Sequence, residues 1–132
     1  MYLLDTNACI ALINATSTSV ANRFKANPPS DYYISSIVRS ELVYGARNSS
    51  RIDQNLRVVE LFVKPLNSLA FDAACADAAG LIRSNLKRLG TPIGPLDTLI
   101  AASAVAHDLT LITHNVKEFD RVFGLKYEDW QA

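Results

Sequence analysis

The stretch Tyr2-Leu3-Leu4-Asp5-Thr6-Asn7, at the start of the chain, decides the predicted fold. Its first three residues are typical of a short buried strand, whereas Asn7–Asn14 has the pattern of a helix. A strand followed at once by a helix is the unit that builds parallel α/β sheets. In such sheets, ligands bind beyond the carboxyl ends of the strands. Asp5 falls at that position, although it can equally serve as the N-cap of the helix that follows.

The same alternation of short apolar segments and helical patterns continues along the chain. Strands are predicted at Tyr32–Ser35, at Val63–Leu66, where Pro65 weakens the pattern, and at Thr110–Thr113. Helices are predicted from Ser17 or Thr18 to Lys25, over Ile37–Ala46 after an N-cap at Ser36, and over Arg51–Phe62, Asp72–Leu89, Leu96–His107 and Val116–Val122. We therefore expect one α/β domain over residues 1–132, with a mostly parallel central sheet of four to five strands flanked by helices.

Composition agrees with a compact domain. The chain has 132 residues, of which 49% are hydrophobic, so it has enough apolar surface for a core and is not a disordered or disulfide-scaffold protein. Its first residues lack the basic segment of a secretory signal, and its longest apolar stretch, Leu96–Ala106, is too short to cross a membrane. These features predict a cytoplasmic protein that does not interact with membranes.

The two cysteines, Cys9 and Cys75, lie in apolar surroundings. Neither belongs to a CxxC motif or has a usable histidine nearby in the sequence, so we expect two reduced, buried thiols and no zinc site.

Charge is balanced, with 13 Lys and Arg against 13 Asp and Glu. A protein that binds nucleic acid without specificity usually has an excess of basic residues. The zero net charge alone therefore argues against such a protein.

Glu41 is an unusual acid because, on the predicted helix, it shares a face with Ile37, Val38 and Tyr44. A carboxylate among apolar groups is costly unless it is paired or binds a metal. A salt bridge to Arg47 or another base is the alternative to a functional site.

Asp97 is the only charged residue between Arg88 and His107, and it lies in the first turn of an apolar helix. Acidic residues are favoured at helix N-termini, so a capping role is the alternative here.

A last polar group, including Asn115 and Glu118, follows the final predicted strand. Parallel strands bring this group, Asp5 and the starts of two helices toward one edge of the sheet. Several carboxylates in one cleft repel each other unless a cation joins them, and oxygen-only ligands favour Mg²⁺ or Mn²⁺. Such a site suits metal-assisted phosphodiester hydrolysis.

Five segments together resemble the PIN-domain ribonucleases, and most closely the VapC-type toxins of toxin–antitoxin modules. They are Leu4-Asp5-Thr6-Asn7, Ser40–Ala46 (SELVYGA), Gly94–Ala101 (GPLDTLIA), Leu111–Phe119 (LITHNVKEF) and Glu128-Asp129-Trp130. The resemblance covers almost the whole chain and is specific in the order and spacing of the segments.

The resemblance implies that the acidic positions of the family fall on Asp5, Glu41 and Asp97. It also makes Thr6 and Thr113 their usual neighbours. Where the family commonly has a fourth acid after the last strand, this chain has Asn115. The fourth ligand is therefore either Asn115, through its carbonyl or a water, or Glu118, three residues further on.

The resemblance further implies an endoribonuclease that depends on Mg²⁺ or Mn²⁺ and cleaves structured RNA such as tRNA or ribosomal RNA. It implies inhibition by a cognate VapB-type antitoxin and assembly as a homodimer. Arg39, facing the cleft beside Glu41, and Arg47 are the candidate RNA contacts.

The sequence leaves two alternative functions open. One is a phosphohydrolase that forms an aspartyl-phosphate on Asp5, although Asn7 stands where such an enzyme would need a second acid. The other is a PIN-like interaction module with weakened or no catalytic activity, which the loss of the fourth acid mildly favours.

Overall fold

A five-stranded sheet, with every neighbouring pair of strands parallel, forms the centre of the protein, seen in a computed structural model that describes residues 1–131. The strands lie in the order β3-β2-β1-β4-β5. Their bounds are β1 (Tyr2–Leu4), β2 (Tyr32–Ser35), β3 (Asn67–Leu69), β4 (Thr110–Ile112) and β5 (Tyr127–Glu128). The predicted fold class, a parallel α/β sheet of four to five strands, is confirmed.

Helices connect the strands, as parallel pairing requires. Within residues 1–131 they are α1 (Thr6–Asn14), α2 (Thr18–Lys25), α3 (Ser36–Arg47), α4 (Ile52–Val63), α5 (Ala73–Leu89), α6 (Pro95–Ala106) and α7 (Val116–Phe119), with a short 3-10 helix at Pro29–Asp31. In this described part of the chain, no helix is both long and apolar enough to span a membrane.

The first strand occupies the middle of the sheet and fixes the position of Asp5. It pairs with β2 on one side and with β4 on the other, where Leu4 lies opposite Ile112. Leu3 and Leu4 are fully buried, as expected of a strand covered on both faces. Asp5 therefore leaves the sheet at the centre of its carboxyl edge.

The helix that carries Asp97, α6, is deeply buried. Ile100, Ala101, Ala102 and Ala104 are all at most 1% exposed, which places apolar groups on several sides of the helix. Its small residues allow α5 to pack closely against it. This burial gives the N-terminus of α6 a fixed position beside the sheet edge.

Side-chain caps explain where several helices begin. Asp5 accepts a hydrogen bond from the backbone N–H of Ala8, and Ser17 and Ser35 cap α2 and α3 in the same way. The N-cap of α3 is thus Ser35, one residue before the predicted Ser36. Gly90, in the left-handed conformation at φ 71°, ends α5 as predicted.

The prediction of a strand at Val63–Leu66 is wrong. Val63 is the last residue of α4, and Leu66 closes a turn by donating its N–H to the carbonyl of Val63 at 3.0 Å. Pro65 has no N–H to give to a sheet, so pairing starts only at Asn67. The two-residue β5 was not predicted, because so short a segment has no detectable periodicity.

Candidate active site

Asp5 lies at the carboxyl edge of the sheet and is only 5% exposed. Its Oδ1 accepts a hydrogen bond from the Ala8 N–H at 2.8 Å. Burial raises the pKa of Asp5, while a hydrogen bond from the Thr113 side chain and the Ala8 N–H act in the opposite direction. Asp5 therefore caps α1 and also lies at the edge of the sheet where ligands are expected. Its roles as an N-cap and as a candidate site residue are compatible.

Glu41 reaches the same edge from α3. Its Oε1 accepts a hydrogen bond from the Thr6 hydroxyl at 2.7 Å. Among the described residues it forms no salt bridge with Arg47 or any other base. The contact with Thr6, the residue after Asp5, brings the β1–α1 junction and α3 together at one point.

Asp97 is placed by the start of α6, where Pro95 occupies the first turn. Gly94 neighbours it, since a Cβ at that position would be in ordinary contact with Asp97 Oδ2, at 3.6 Å. The Gly94 N–H interacts with the Glu118 carboxylate, whose pKa is lowered first by a hydrogen bond from Asp97. Glu118 thus supplies negative charge near this helix N-terminus.

The two candidates for the fourth position contact each other. The Asn115 side-chain amide donates to Glu118 Oε2 at 3.1 Å, and the Asn115 N–H donates to Thr113 Oγ1 at 3.0 Å. Asn115 lines the cavity described next, whereas Glu118 approaches Asp97 from the side. The structure therefore brings both candidates to the site.

A cavity of about 110 Å³ joins these groups. The residues that line it are Asp5, Thr6, Asn7, Glu41, Asp97, Ile100 and Asn115. In the described part of the chain no lysine or arginine lines this cavity. The donor set is carboxylate, hydroxyl and amide oxygen, which matches the preference of hard divalent cations.

Crowding of negative charge is visible in the pKa of Asp97. This pKa is raised to about 7, first by burial and then by the hydrogen bond and charge of Glu118 and by the charges of Asp5 and Glu41. Carboxylates that repel each other in this way are the arrangement that a bound cation relieves. The residues present therefore fit a divalent metal.

The two candidate RNA contacts differ in their surroundings. Arg39 Nη2 lies 3.2 Å from Glu60 Oε2, so the guanidinium pairs with α4 rather than with Glu41. Two residues along an α-helix are separated by about 200°, which explains why Arg39 does not point with Glu41. Arg47 is exposed and has no ion-pair partner within residues 1–131.

Two features of the structure go beyond the sequence-based site. Asn7 lines the cavity but is not among the predicted site residues. Its position directly after Asp5 and Thr6 is the sequence feature that could have identified it. The second feature is a histidine near Cys75 in space, which the sequence around Cys75 does not indicate. The packing of α5 on α6 brings His107 close to it, although the two residues are far apart in the sequence.

Comparison with known proteins assigns the chain to a family. The family model described as "PIN domain" matches residues 2–124. A tRNA(fMet)-specific endonuclease VapC from Shigella flexneri is 44% identical over 129 residues, covering 98% of this chain and 97% of that protein. Ribonuclease VapC2 from Rickettsia felis is 38% identical, with 98% of each protein covered.

Solved structures agree in fold over the same length. A DNA-bound VapBC from Salmonella typhimurium superposes with a TM-score of 0.92 at 42% identity, covering 98% of this chain and 97% of that one. VapBC2 from Rickettsia felis, bound to a DNA fragment from its promoter, gives a TM-score of 0.89, with 98% of each chain covered. Because the match in sequence and fold extends over nearly the whole chain, the protein belongs to the PIN-domain family, among the VapC ribonucleases.

Proposed function

We propose that this protein is a divalent-metal-dependent endoribonuclease that hydrolyses phosphodiester bonds in structured RNA as the toxin of a toxin–antitoxin pair. The observation that carries the proposal is the cavity in which Asp5, Glu41 and Asp97 converge with oxygen donors alone. Its VapC relatives, which are named as endonucleases and ribonucleases, support the same activity.

Asp5, Glu41 and Asp97 would hold the metal, with Asn115 or Glu118 as the fourth ligand. The oxygen-only donor set favours Mg²⁺, and Mn²⁺ is the next candidate. A divalent cation at this position supplies Lewis-acid stabilisation of the phosphate and lowers the pKa of water.

The side chains around the ligands have separate tasks. The Ala8 N–H fixes Asp5 through Oδ1, and the Thr6 hydroxyl fixes Glu41 through Oε1, which limits the rotation of both carboxylates. The raised pKa of Asp97, caused by burial and by the nearby Glu118, favours its protonated form, and a cation held here would favour the ionised carboxylate instead. A carboxylate of the same cluster would accept the proton of the attacking water.

Transfer RNA is the substrate we propose to test first. The relatives from Shigella flexneri and Salmonella typhimurium, at 44% and 43% identity, are both named as tRNA(fMet)-specific. Initiator tRNA is therefore the first choice, and ribosomal RNA is the comparison. The balanced charge of this chain favours recognition by RNA shape over non-specific attraction.

We propose a VapB-type antitoxin as the inhibitory partner, since the solved neighbours include VapBC complexes. We also propose a homodimer and a cytoplasmic location. The exposed apolar side chains of Leu81, Leu89 and Phe123 offer surface for protein association, because a monomer rarely leaves such groups uncovered together.

A PIN-like interaction module without strong catalysis is the second candidate. The observation that favours it is Asn115, an amide where the family commonly has an acid. Asn115 donates to Glu118, so a carboxylate is nevertheless present beside this position. RNA cleavage that needs added Mg²⁺ and stops with EDTA separates an active nuclease from this module.

Mapping of the 5′ ends of total cellular RNA after brief expression tests the proposal and identifies the target. We expect new ends at one position in one RNA class for the parent protein. Asp5→Ala and Asp97→Asn should both abolish these ends. Asp97→Asn keeps the N-cap at Asp5, so its effect cannot result from loss of that cap. Unchanged ends in cells expressing either variant would refute the assignment of the site.

A further inference from the structure

A second group of metal-ligating side chains lies away from the carboxylate cavity. Asp72, Cys75 and His107 each offer one ligand atom, and the three atoms all lie within 4.8 Å of one another. Asp97 and His107 are separated by almost the full length of α6, which is about 15 Å at 1.5 Å per residue. The group is therefore distinct from the proposed catalytic centre.

Local structure explains how two of the ligands come together. Asp72 is the N-cap of α5 and Cys75 is three residues later, so both side chains lie beside the first turn. Asp72 Oδ1 accepts the Cys75 N–H at 2.9 Å, which leaves Oδ2 available. The capping bond thus holds the carboxylate next to the thiol.

The third ligand arrives from the neighbouring helix. His107 is the C-cap of α6, and its Nε2 lies 3.1 Å from Asp72 Oδ2. Side chains of Asp72 and His107 are 46% and 32% exposed, whereas Cys75 is fully buried beneath them. The two exposed groups therefore lie on the solvent side of the group, and the sulfur lies on its buried side.

We propose that Asp72, Cys75 and His107 form a zinc site that ties the start of α5 to the end of α6. The donor set of thiolate, imidazole and carboxylate suits Zn²⁺ and does not suit Mg²⁺. In a tetrahedral zinc site, ligand atoms lie about 3.3–3.6 Å apart, so zinc binding would draw atoms that now lie within 4.8 Å of one another together by up to about 1.5 Å. Water completes the coordination, and the thiol proton passes to solvent on binding.

Without zinc, the same residues form an ordinary contact between Asp72 and His107, and the Cys75 thiol points to the Ala70 carbonyl at 3.9 Å. This contact between Asp72 and His107 does not involve the Cys75 sulfur, whereas zinc binding would. The test must therefore detect a bond between the metal and the sulfur.

Cobalt substitution provides that report, because a thiolate bound to Co²⁺ gives an intense near-ultraviolet charge-transfer band. The full-length protein carrying Asp97→Asn, which weakens the carboxylate centre, is freed of metal and titrated with Co²⁺ and then with Zn²⁺. We expect the band to saturate at one Co²⁺ per chain and to disappear as Zn²⁺ displaces it.

Three further variants in this background locate the site. His107→Gln, at a partly exposed position, should weaken Zn²⁺ binding by about tenfold or more and reduce the band. Cys75→Ala should abolish the band, whereas Cys9→Ala, which removes the other cysteine, should retain it. Absence of the band in the Asp97→Asn protein, or its persistence at full strength in His107→Gln, would overturn the proposal without affecting the nuclease assignment.

Discussion

At the residue scale, the contact between Thr6 and Glu41 determines how one carboxylate enters the acidic cavity. The Thr6 hydroxyl donates to Glu41 Oε1 at 2.7 Å, and Thr6 itself lines the cavity. A hydrogen bond that orients a metal ligand affects metal affinity and activity even though its donor need not bind the metal.

We predict that Thr6→Val lowers RNA cleavage by about 10- to 100-fold while the protein stays folded, because Glu41 loses its orienting partner. Thr6→Ser keeps the hydroxyl and should retain most of the activity. Initial cleavage rates at saturating Mg²⁺, with thermal unfolding as the folding control, measure the difference. Equal rates for Thr6→Val and the parent would mean that the contact has no role in catalysis.

The raised pKa of Asp97 predicts how stability depends on pH when no metal is bound. Between the ordinary value of 3.8 and about 7, the folded chain keeps a proton that the unfolded chain releases. The free energy of unfolding should therefore fall as the pH rises through this window. Urea unfolding in EDTA at about pH 5 and about pH 7.5 measures the change.

Asp97→Asn is the matched control for this pH dependence, because the amide cannot release a proton. The decrease in stability between the two pH values should be smaller in the variant than in the parent. If both proteins lose the same stability, Asp97 is not the group responsible.

At the element scale, some strands and helices can be predicted from local sequence patterns and others cannot. Apolar β1 and the N-cap at Asp5 are local features, so the central strand and α1 were predictable from a few residues. The position of β3 was not, because its residues Asn67–Leu69 are only partly buried and carry no alternating apolar pattern. Its register depends on partners in β2, which are distant in sequence.

The same distinction applies to the candidate site. Asp5 could be selected because it directly follows the first predicted strand, and Glu41 and Asp97 because each lies among apolar residues of a predicted helix. The proximity of Asn115 to Glu118 could also be predicted, because the two residues are one helical turn apart at the start of α7. By contrast, the approach of His107 to Cys75 depends on the pairing of α5 with α6, which local patterns do not reveal.

Helix α1 offers a direct test of local backbone strain, because Ala15 ends it in the left-handed conformation at φ 53°. This conformation disfavours residues with a Cβ. Ala15→Gly should therefore stabilise the protein by about 0.5–1 kcal/mol after the entropy of the glycine is included. Ala26, the C-cap of α2, is right-handed at φ −71°, so Ala26→Gly should destabilise. Urea midpoints of the two variants should move in opposite directions; movement in the same direction would contradict this explanation.

At the scale of the whole molecule, the zero net charge does not describe the surface evenly, because several acids are concentrated at one site. Asp5, Glu41, Asp97 and Glu118 belong to one polar edge, which leaves nine other acids against 13 bases. A cation bound at that edge would offset its local charge and leave an excess of basic residues elsewhere. This balance favours selective binding of RNA over general attraction to phosphate.

We predict that bound RNA extends from the acidic cavity along the surface beside α3. A second cavity, of about 190 Å³, is lined by Glu41 and continues to Ala46, the residue before Arg47. Since Arg47 is unpaired among the described residues while Arg39 is held by Glu60, we predict that Arg47 contributes more to RNA binding.

Arg47→Ala should weaken binding of initiator tRNA and reduce the slope of log affinity against log salt by about one. Lys126→Ala is the control, because Lys126 pairs with Asp108 and lies at the amino end of β5, away from the carboxyl edge. Filter binding at several salt concentrations measures both slopes, with the catalytic variant Asp97→Asn used to prevent cleavage. An equal effect of the two substitutions would exclude a specific contact by Arg47.

The most direct test of the central claim compares initiator tRNA cleavage by three purified proteins in Mg²⁺: the parent, Asp97→Asn and Asp77→Asn. Asp77 is an exposed acid of α5 outside the cavity, so its substitution should leave the rate unchanged. We predict that Asp97→Asn reduces the rate by about a hundredfold or more, and that EDTA stops the parent protein. Cleavage by Asp97→Asn at the parental rate, or cleavage by the parent that continues in EDTA, would contradict a metal-dependent centre at this edge of the sheet.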